Sequence, residues 1–148
     1  MTQRLATPAE VERIEELLAS FKLPTLAQQT VQRLEQAGHE LALVTLLELL
    51  EAERDERFRR RCQRLLKGSG LPPGKTFDTL DPTRVPKGVL RKLQELASGE
   101  FLDRTDNVLC FGLPGRGKTH AACALGHALV QRGRSVLFVP TFQLVQSL

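Results

Sequence analysis

Eight consecutive residues carry the clearest chemistry in this chain: Gly112-Leu113-Pro114-Gly115-Arg116-Gly117-Lys118-Thr119. Two glycines with four residues between them, then lysine and a hydroxyl residue, form the G-x-x-x-x-G-K-[ST] phosphate-binding loop. Gly112, Gly115 and Gly117 let the backbone bend so that its N–H groups meet phosphate oxygens. Lys118 is placed to reach the β- and γ-phosphates, and the Thr119 hydroxyl to bind Mg²⁺. The ligand class is a nucleoside triphosphate with its magnesium.

Such a loop needs a strand before it and a helix after it. Asn107 to Phe111 is a short apolar run that reads as a buried strand. Thr119 to Arg132 repeats Ala121, Leu125, Ala128 and Leu129 at helical spacing, and Gly133 is placed to end that helix. Ser135 to Val139 reads as a second strand, and Thr141 as the cap of a helix running to Leu148. The expected fold class is therefore α/β for the second half, in the order strand, phosphate loop, helix, strand.

The first half reads as helix throughout. Thr7-Pro8-Ala9-Glu10 is a capping box with proline at the first helical position. It opens a helix to Ser20 with Val11, Ile14, Leu17 and Leu18 on one face. A second helix spans about Pro24 to Gly38, and a third about Glu40 to Lys67. Gly68 to Gly74 has the composition of a linker. The expected division is a helical domain over 1–72 and a phosphate-loop domain over 73–148. A helix over about Lys87 to Ser98 opens the latter.

Composition bounds the partners. The chain has 148 residues and a net charge of +4, with neither Trp nor Tyr. The modest basic excess permits nucleic-acid binding without demanding it. The lack of Trp and Tyr argues against stacking on single-stranded bases. Three scattered cysteines, Cys62, Cys110 and Cys123, suit a reduced cytoplasmic protein. Met1-Thr2-Gln3-Arg4 opens no apolar signal core, and no apolar run is long enough to span a bilayer.

These residues together resemble the IstB-like ATP-binding proteins, transposase helper ATPases of bacterial insertion sequences. They are related to DnaC-type helicase loaders of the AAA+ class. The resemblance rests on the helical first half ending in a charged helix, on Leu71-Pro72, Thr76-Phe77-Asp78 and Asn107-Val108-Leu109. It is strongest over Gly112 to His120, where Gly-Lys-Thr-His is followed by Ala. Arg116 replaces a small residue and Leu113 a proline, both at positions where the motif fixes no group. The resemblance implies ATP and Mg²⁺ as ligands, with Gly112, Pro114, Gly115, Arg116, Gly117, Lys118, Thr119 and His120 at the site. It also implies duplex DNA and a transposase as partners, and self-assembly.

ATP hydrolysis needs a carboxylate to hold the magnesium shell and another to orient water. No Asp or Glu follows Lys118; the last acid is Asp106. The later strands that the resemblance implies between the two apolar segments are also missing. A C-terminally truncated family member is expected, one that binds nucleotide weakly and hydrolyses it poorly or not at all.

Three other constellations stand beside the loop. Arg54, Arg57, Arg59, Arg60, Arg61, Arg64 and Lys67 crowd the end of the third helix. They read either as a duplex-DNA contact, with Arg57, Arg60, Arg61 and Arg64 as candidates, or as a solvated helix end favoured by the dipole. His120, Cys123 and His127 share one side of a helix; zinc would need a fourth ligand that is not evident, so packing is expected. Phe77 suits either an adenine contact or the core, and Cys62 a structural position. The rival functions are a replicative helicase loader and a non-enzymatic DNA- or partner-binding module with a vestigial loop. A small metabolite kinase suits the helical half poorly.

Overall fold

The computed structural model describes residues 4–146. Met1 to Gln3, Ser147 and Leu148, where the N-terminal and last-helix expectations end, lie outside the described residues. Among those described, the secondary structure is helical: α1 Pro8–Ser20, α2 Pro24–Gln36, α3 Ala42–Gly68, α4 Lys87–Leu96, α5 Glu100–Asp103, α6 Lys118–Gln131 and α7 Thr141–Gln146. No helix of the described residues is long and apolar enough to cross a membrane. The chain divides into two compact units, 1–59 and 60–148. That division falls within α3, whereas the sequence suggests 72/73.

In the first unit, α1 starts where the capping box places it. Glu10 N–H reaches Thr7 Oγ1, and Glu10 Oε2 accepts the Thr7 N–H at 2.8 Å. Ile14 and Leu18 of α1 then meet Val31 of α2 and Leu43 of α3 in one buried cluster. Val11, Leu34, Leu46, Leu47 and Leu50 pack around it. The apolar stretch at the start of α3 is thus the third wall of this core.

The ends of α1 and α2 use the same paired hydrogen bonds. Lys22 and Leu23 N–H bond Ala19 and Leu18 carbonyls, as Gly38 and His39 N–H bond Glu35 and Leu34. This Schellman arrangement needs a left-handed residue. Gly38 supplies it at φ +74°, but α1 uses Lys22 at φ +62°.

In the second unit α6 is the centre. Ala121 joins Leu80, Val85 and Leu93 in one cluster, with Phe77 and Leu90 against it. Phe77 thus packs, partly buried, against this cluster. Leu125 and Leu129 join Phe101 of α5 in a second cluster, flanked by Leu96, Ala97 and Val136. The sequence reading did not find α5, a single turn whose burial rests on Phe101.

The expected strands are not formed. Asn107–Phe111 and Ser135–Val139 have no strand pairing among the described residues, so the strand–loop–helix–strand layout of the α/β expectation is not seen. The reason is physical: a strand is defined by a neighbour that takes its N–H and C=O groups. Of these residues, Phe138 bonds through its N–H to the Ser69 carbonyl at 2.7 Å. Leu109 and Phe111, which a sheet would bury, are 76% and 86% exposed.

Two stability tests follow from the caps. Lys22→Gly should raise stability by about 1 kcal/mol in urea unfolding, because glycine takes the left-handed angle without the Cβ penalty. Gly38→Ala should lower it, although its Cβ would meet nothing within 4 Å. Unchanged stability in both variants would show that these angles carry no strain.

Glu10 provides a pH test. Hydrogen bonds from Arg4, then from the Thr7 backbone, hold its carboxyl down from 4.5 to about 2. Its stabilising contribution is then complete above the unfolded value and disappears as pH falls from 4.5 towards 2. Glu10→Gln should lower stability at pH 6 and flatten the decline across that window, read by thermal unfolding at each pH.

Candidate phosphate-binding site

Gly112, Gly115 and Gly117 have φ of +153°, +76° and +79°. At Gly115 and Gly117 an added Cβ would meet nothing within 4 Å. Glycine is required there by the backbone angle, not by crowding, and the turn leaves an open concave surface. Gly117 is the N-cap of α6, and its carbonyl takes the Ala121 N–H at 2.8 Å. The N–H groups of Lys118, Thr119 and His120 precede the first such bond and have no acceptor within the helix. They converge with the helix dipole on the loop, an arrangement that favours an anion.

Lys118 lies across this turn. Its Nζ donates to the Gly112 carbonyl at 2.7 Å and to Leu113 at 2.9 Å. The ammonium thereby holds the two ends of the loop together. Thr119 is exposed, and so are Pro114 and Arg116. The fold thus gathers Gly112, Pro114, Gly115, Arg116, Gly117, Lys118 and Thr119 around one helix N-terminus. The eighth candidate, His120, differs: its Nε2 sits 3.0 Å from the Thr76 carbonyl and 3.2 Å from Thr79 Oγ1.

A cavity of about 660 Å³ adjoins the loop. Val89, Leu93 and Leu96 of α4 and Val108 and Phe111 of the unpaired segment line it, with Arg116 and Lys118 at the loop side. Its volume is in the range of small-molecule sites.

The remaining candidates have partners in the fold. His127 Nε2 lies 3.0 Å from the Pro72 carbonyl, so both histidines of the conceivable zinc group face backbone oxygens. Cys123 between them is fully buried, and that burial pushes its thiol pKa up. Cys62 Sγ faces the Gln131 carbonyl at 3.7 Å, a structural contact.

Among the arginines, Arg57 pairs with Glu53 at 2.6 Å and lies over the Phe21 ring at 4.2 Å. Arg61 donates to the Gly133 carbonyl at 3.2 Å, at the C-terminal end of α6. Arg54 pairs with Asp55, and Arg59 with Glu56. Arg60 and Arg64 are exposed on the same helix. Exposed pairs of this kind add little stability.

Sequence reasoning missed the residues opposite the histidines, Pro72, Thr76 and Thr79. One signal was present. Gly126 interrupts an otherwise strong helix former, and a glycine there marks close approach. Leu71 Cδ2 would stand 3.0 Å from a Cβ at that position.

Comparison with known proteins gives the same ligand class. The family described as IstB-like ATP binding protein matches residues 16–148. A protein of insertion sequence IS5376 from Geobacillus stearothermophilus, named as ATP-binding, is 39% identical over 139 residues. That match covers 93% of this chain and 55% of the relative. An insertion-sequence protein of Sinorhizobium fredii, also named as ATP-binding, is 39% identical over 135 residues, covering 89% of this chain and 45% of the relative. A protein of insertion sequence IS21 from Pseudomonas aeruginosa, named likewise, is 38% identical over 141 residues, covering 93% and 53%. The chain thus spans about half the length of these relatives. With the family match covering nearly all of it and the phosphate loop intact, the chain belongs to the IstB-like ATP-binding protein family.

Proposed function

We propose that this chain is an ATP-binding helper of DNA transposition that holds nucleotide without efficient hydrolysis. The observation that carries the proposal is the glycine turn at the head of α6, in a chain whose relatives are named as insertion-sequence ATP-binding proteins. The donor set suits a triphosphate: three positive-φ glycines, a helix N-terminus and a lysine that can exchange two carbonyls for phosphate oxygens. Thr119 would be the protein's ligand to Mg²⁺, which neutralises phosphate charge when bound. No Asp or Glu of the described residues lines the cavity beside the loop, where a carboxylate would be needed to activate water. The order strand, loop, helix, strand belongs to the same proposal, with 107–111 and 135–139 becoming strands once neighbours pair with them.

Duplex DNA is the second ligand of this reading, with Arg57, Arg60, Arg61 and Arg64 towards phosphates. Arg57 also lies over the Phe21 ring and Arg61 on the Gly133 carbonyl, and Arg60 and Arg64 are exposed on the same helix. A transposase partner, self-assembly and a cytoplasmic location complete the proposal.

Lys118→Ala should weaken Mg·ATP binding at least about tenfold by calorimetry, the cost of a lost charge-assisted contact. Thr119→Ala should lower affinity in magnesium and leave it nearly unchanged in EDTA. An unaltered isotherm for Lys118→Ala would overturn nucleotide binding at this loop. DNA affinity unaffected by Lys118→Ala, with no nucleotide bound by the parent, would favour the binding module.

Arg60→Ala/Arg64→Ala should weaken duplex DNA binding and reduce the slope of log K against log salt by about 2, at roughly 0.9 per phosphate contact. An unchanged slope would remove these residues from the DNA surface.

A further inference from the structure

α6 carries two imidazoles that hold a single irregular segment. His127 reaches the Pro72 carbonyl, and His120 the Thr76 carbonyl and Thr79 hydroxyl. Between these contacts Leu71 fills the space over Gly126. Ser69, at the start of the segment, is fully buried and bonds Leu66 O and the Leu71 N–H through its hydroxyl. Residues 69–79 are thus a strap laid along the helix, beginning where α3 ends.

Proton positions at His120 follow by elimination. A carbonyl only accepts. The Thr79 hydroxyl has one proton, and its nearest acceptor is the Gly74 carbonyl at 2.6 Å. Thr79 Oγ1 itself accepts the Thr76 N–H at 3.0 Å. Both oxygens facing the ring therefore present lone pairs, and Nε2 must carry the proton. One imidazole N–H closes the Gly74–Thr79 turn on to α6.

We infer that His120 is a positioning residue that couples the phosphate loop to this turn. It lies two positions after Lys118, in the helical turn whose N–H groups face the anion. Fixing that turn with a triphosphate fixes the ring, and the ring fixes Thr76 and Thr79. The strap thereby carries the state of the loop towards the end of α3. The coupling rests on the nucleotide reading above; the latch itself does not.

Residue-resolved amide exchange on the full chain tests both. Without nucleotide, His120→Ala should speed exchange at Thr76 and Leu80 about tenfold, the loss of one hydrogen bond. His120→Gln, which keeps an N–H at a similar reach, should restore most of the protection. His120→Phe keeps the ring's bulk and removes the N–H, and should mimic His120→Ala if that variant folds poorly. With Mg·ATP, the parent should slow exchange over 74–80 as well as over 115–119. His120→Ala should keep the second effect and lose the first. Parent-like exchange in His120→Ala and His120→Phe overturns the latch, and nucleotide protection of 74–80 persisting in His120→Ala overturns the coupling. No protection of 115–119 in the parent would instead overturn nucleotide binding and the coupling with it, leaving the latch judged by the nucleotide-free exchange.

Discussion

The burial of α6 is the constraint on which the second unit depends. Ala121, Cys123, Ala124, Leu125, Gly126, Leu129 and Val130 are all buried, so apolar positions surround the helix instead of forming one stripe. α4 takes the face of Ala121, α5 that of Leu125 and Leu129, and the strap that of Gly126. Burying one leucine contributes about 1.5–3 kcal/mol. Several such contacts from different directions leave the helix little freedom to shift. That fixity places Gly117 and Lys118, because the loop has no packing of its own at Gly115 and Gly117.

A helix surrounded by irregular chain creates a second requirement, the satisfaction of backbone oxygens that no ladder reaches. Side chains meet it here. His127 and His120 serve the strap carbonyls, Arg61 serves Gly133 at the far end of α6, and Lys118 serves Gly112 and Leu113. These bonds differ in what can replace them. A histidine N–H on a strap carbonyl joins two parts of the fold. A lysine ammonium on two exposed carbonyls has one in a phosphate oxygen, where the bond gains opposite charge. The same physical need thus yields a fixed latch at one residue and an exchangeable clasp two residues earlier.

The elements legible in the sequence were those fixed locally. Thr7 and Glu10 specify the start of α1, Gly38 and Gly133 follow the ends of α2 and α6, and the loop is eight adjacent residues. Lys22 was not legible as a left-handed residue, because nothing about lysine asks for that angle. The Gly68–Gly74 stretch has the composition of a linker, yet Ser69 is buried and Leu71 occupies the notch at Gly126. Composition reports flexibility in the free chain and is silent on what a segment lies against. The apolar runs 107–111 and 135–139 show the converse. Their pattern suits strands, but strand formation belongs to a pair, and one member's sequence does not contain the other.

The same distinction between local and distant information separates binding from turnover. A phosphate cradle needs backbone angles, N–H groups and a lysine from one continuous segment, and all are present from Gly112 to Thr119. Water activation needs a carboxylate carried in from another element. Four acids of the second unit pair with cations or turns: Asp103 with Arg134, Asp106 with Arg104, Asp81 with Thr83, Glu95 with Arg91 and Lys92. Asp81 and Glu95 have lowered pKa values, Asp81 from the Thr83 hydrogen bonds and Glu95 from those of Arg91 and Lys92, the opposite of what a base poised near neutrality requires. These carboxylates thus have partners within the fold, whereas the Lys118 ammonium on two carbonyls has an anion to gain.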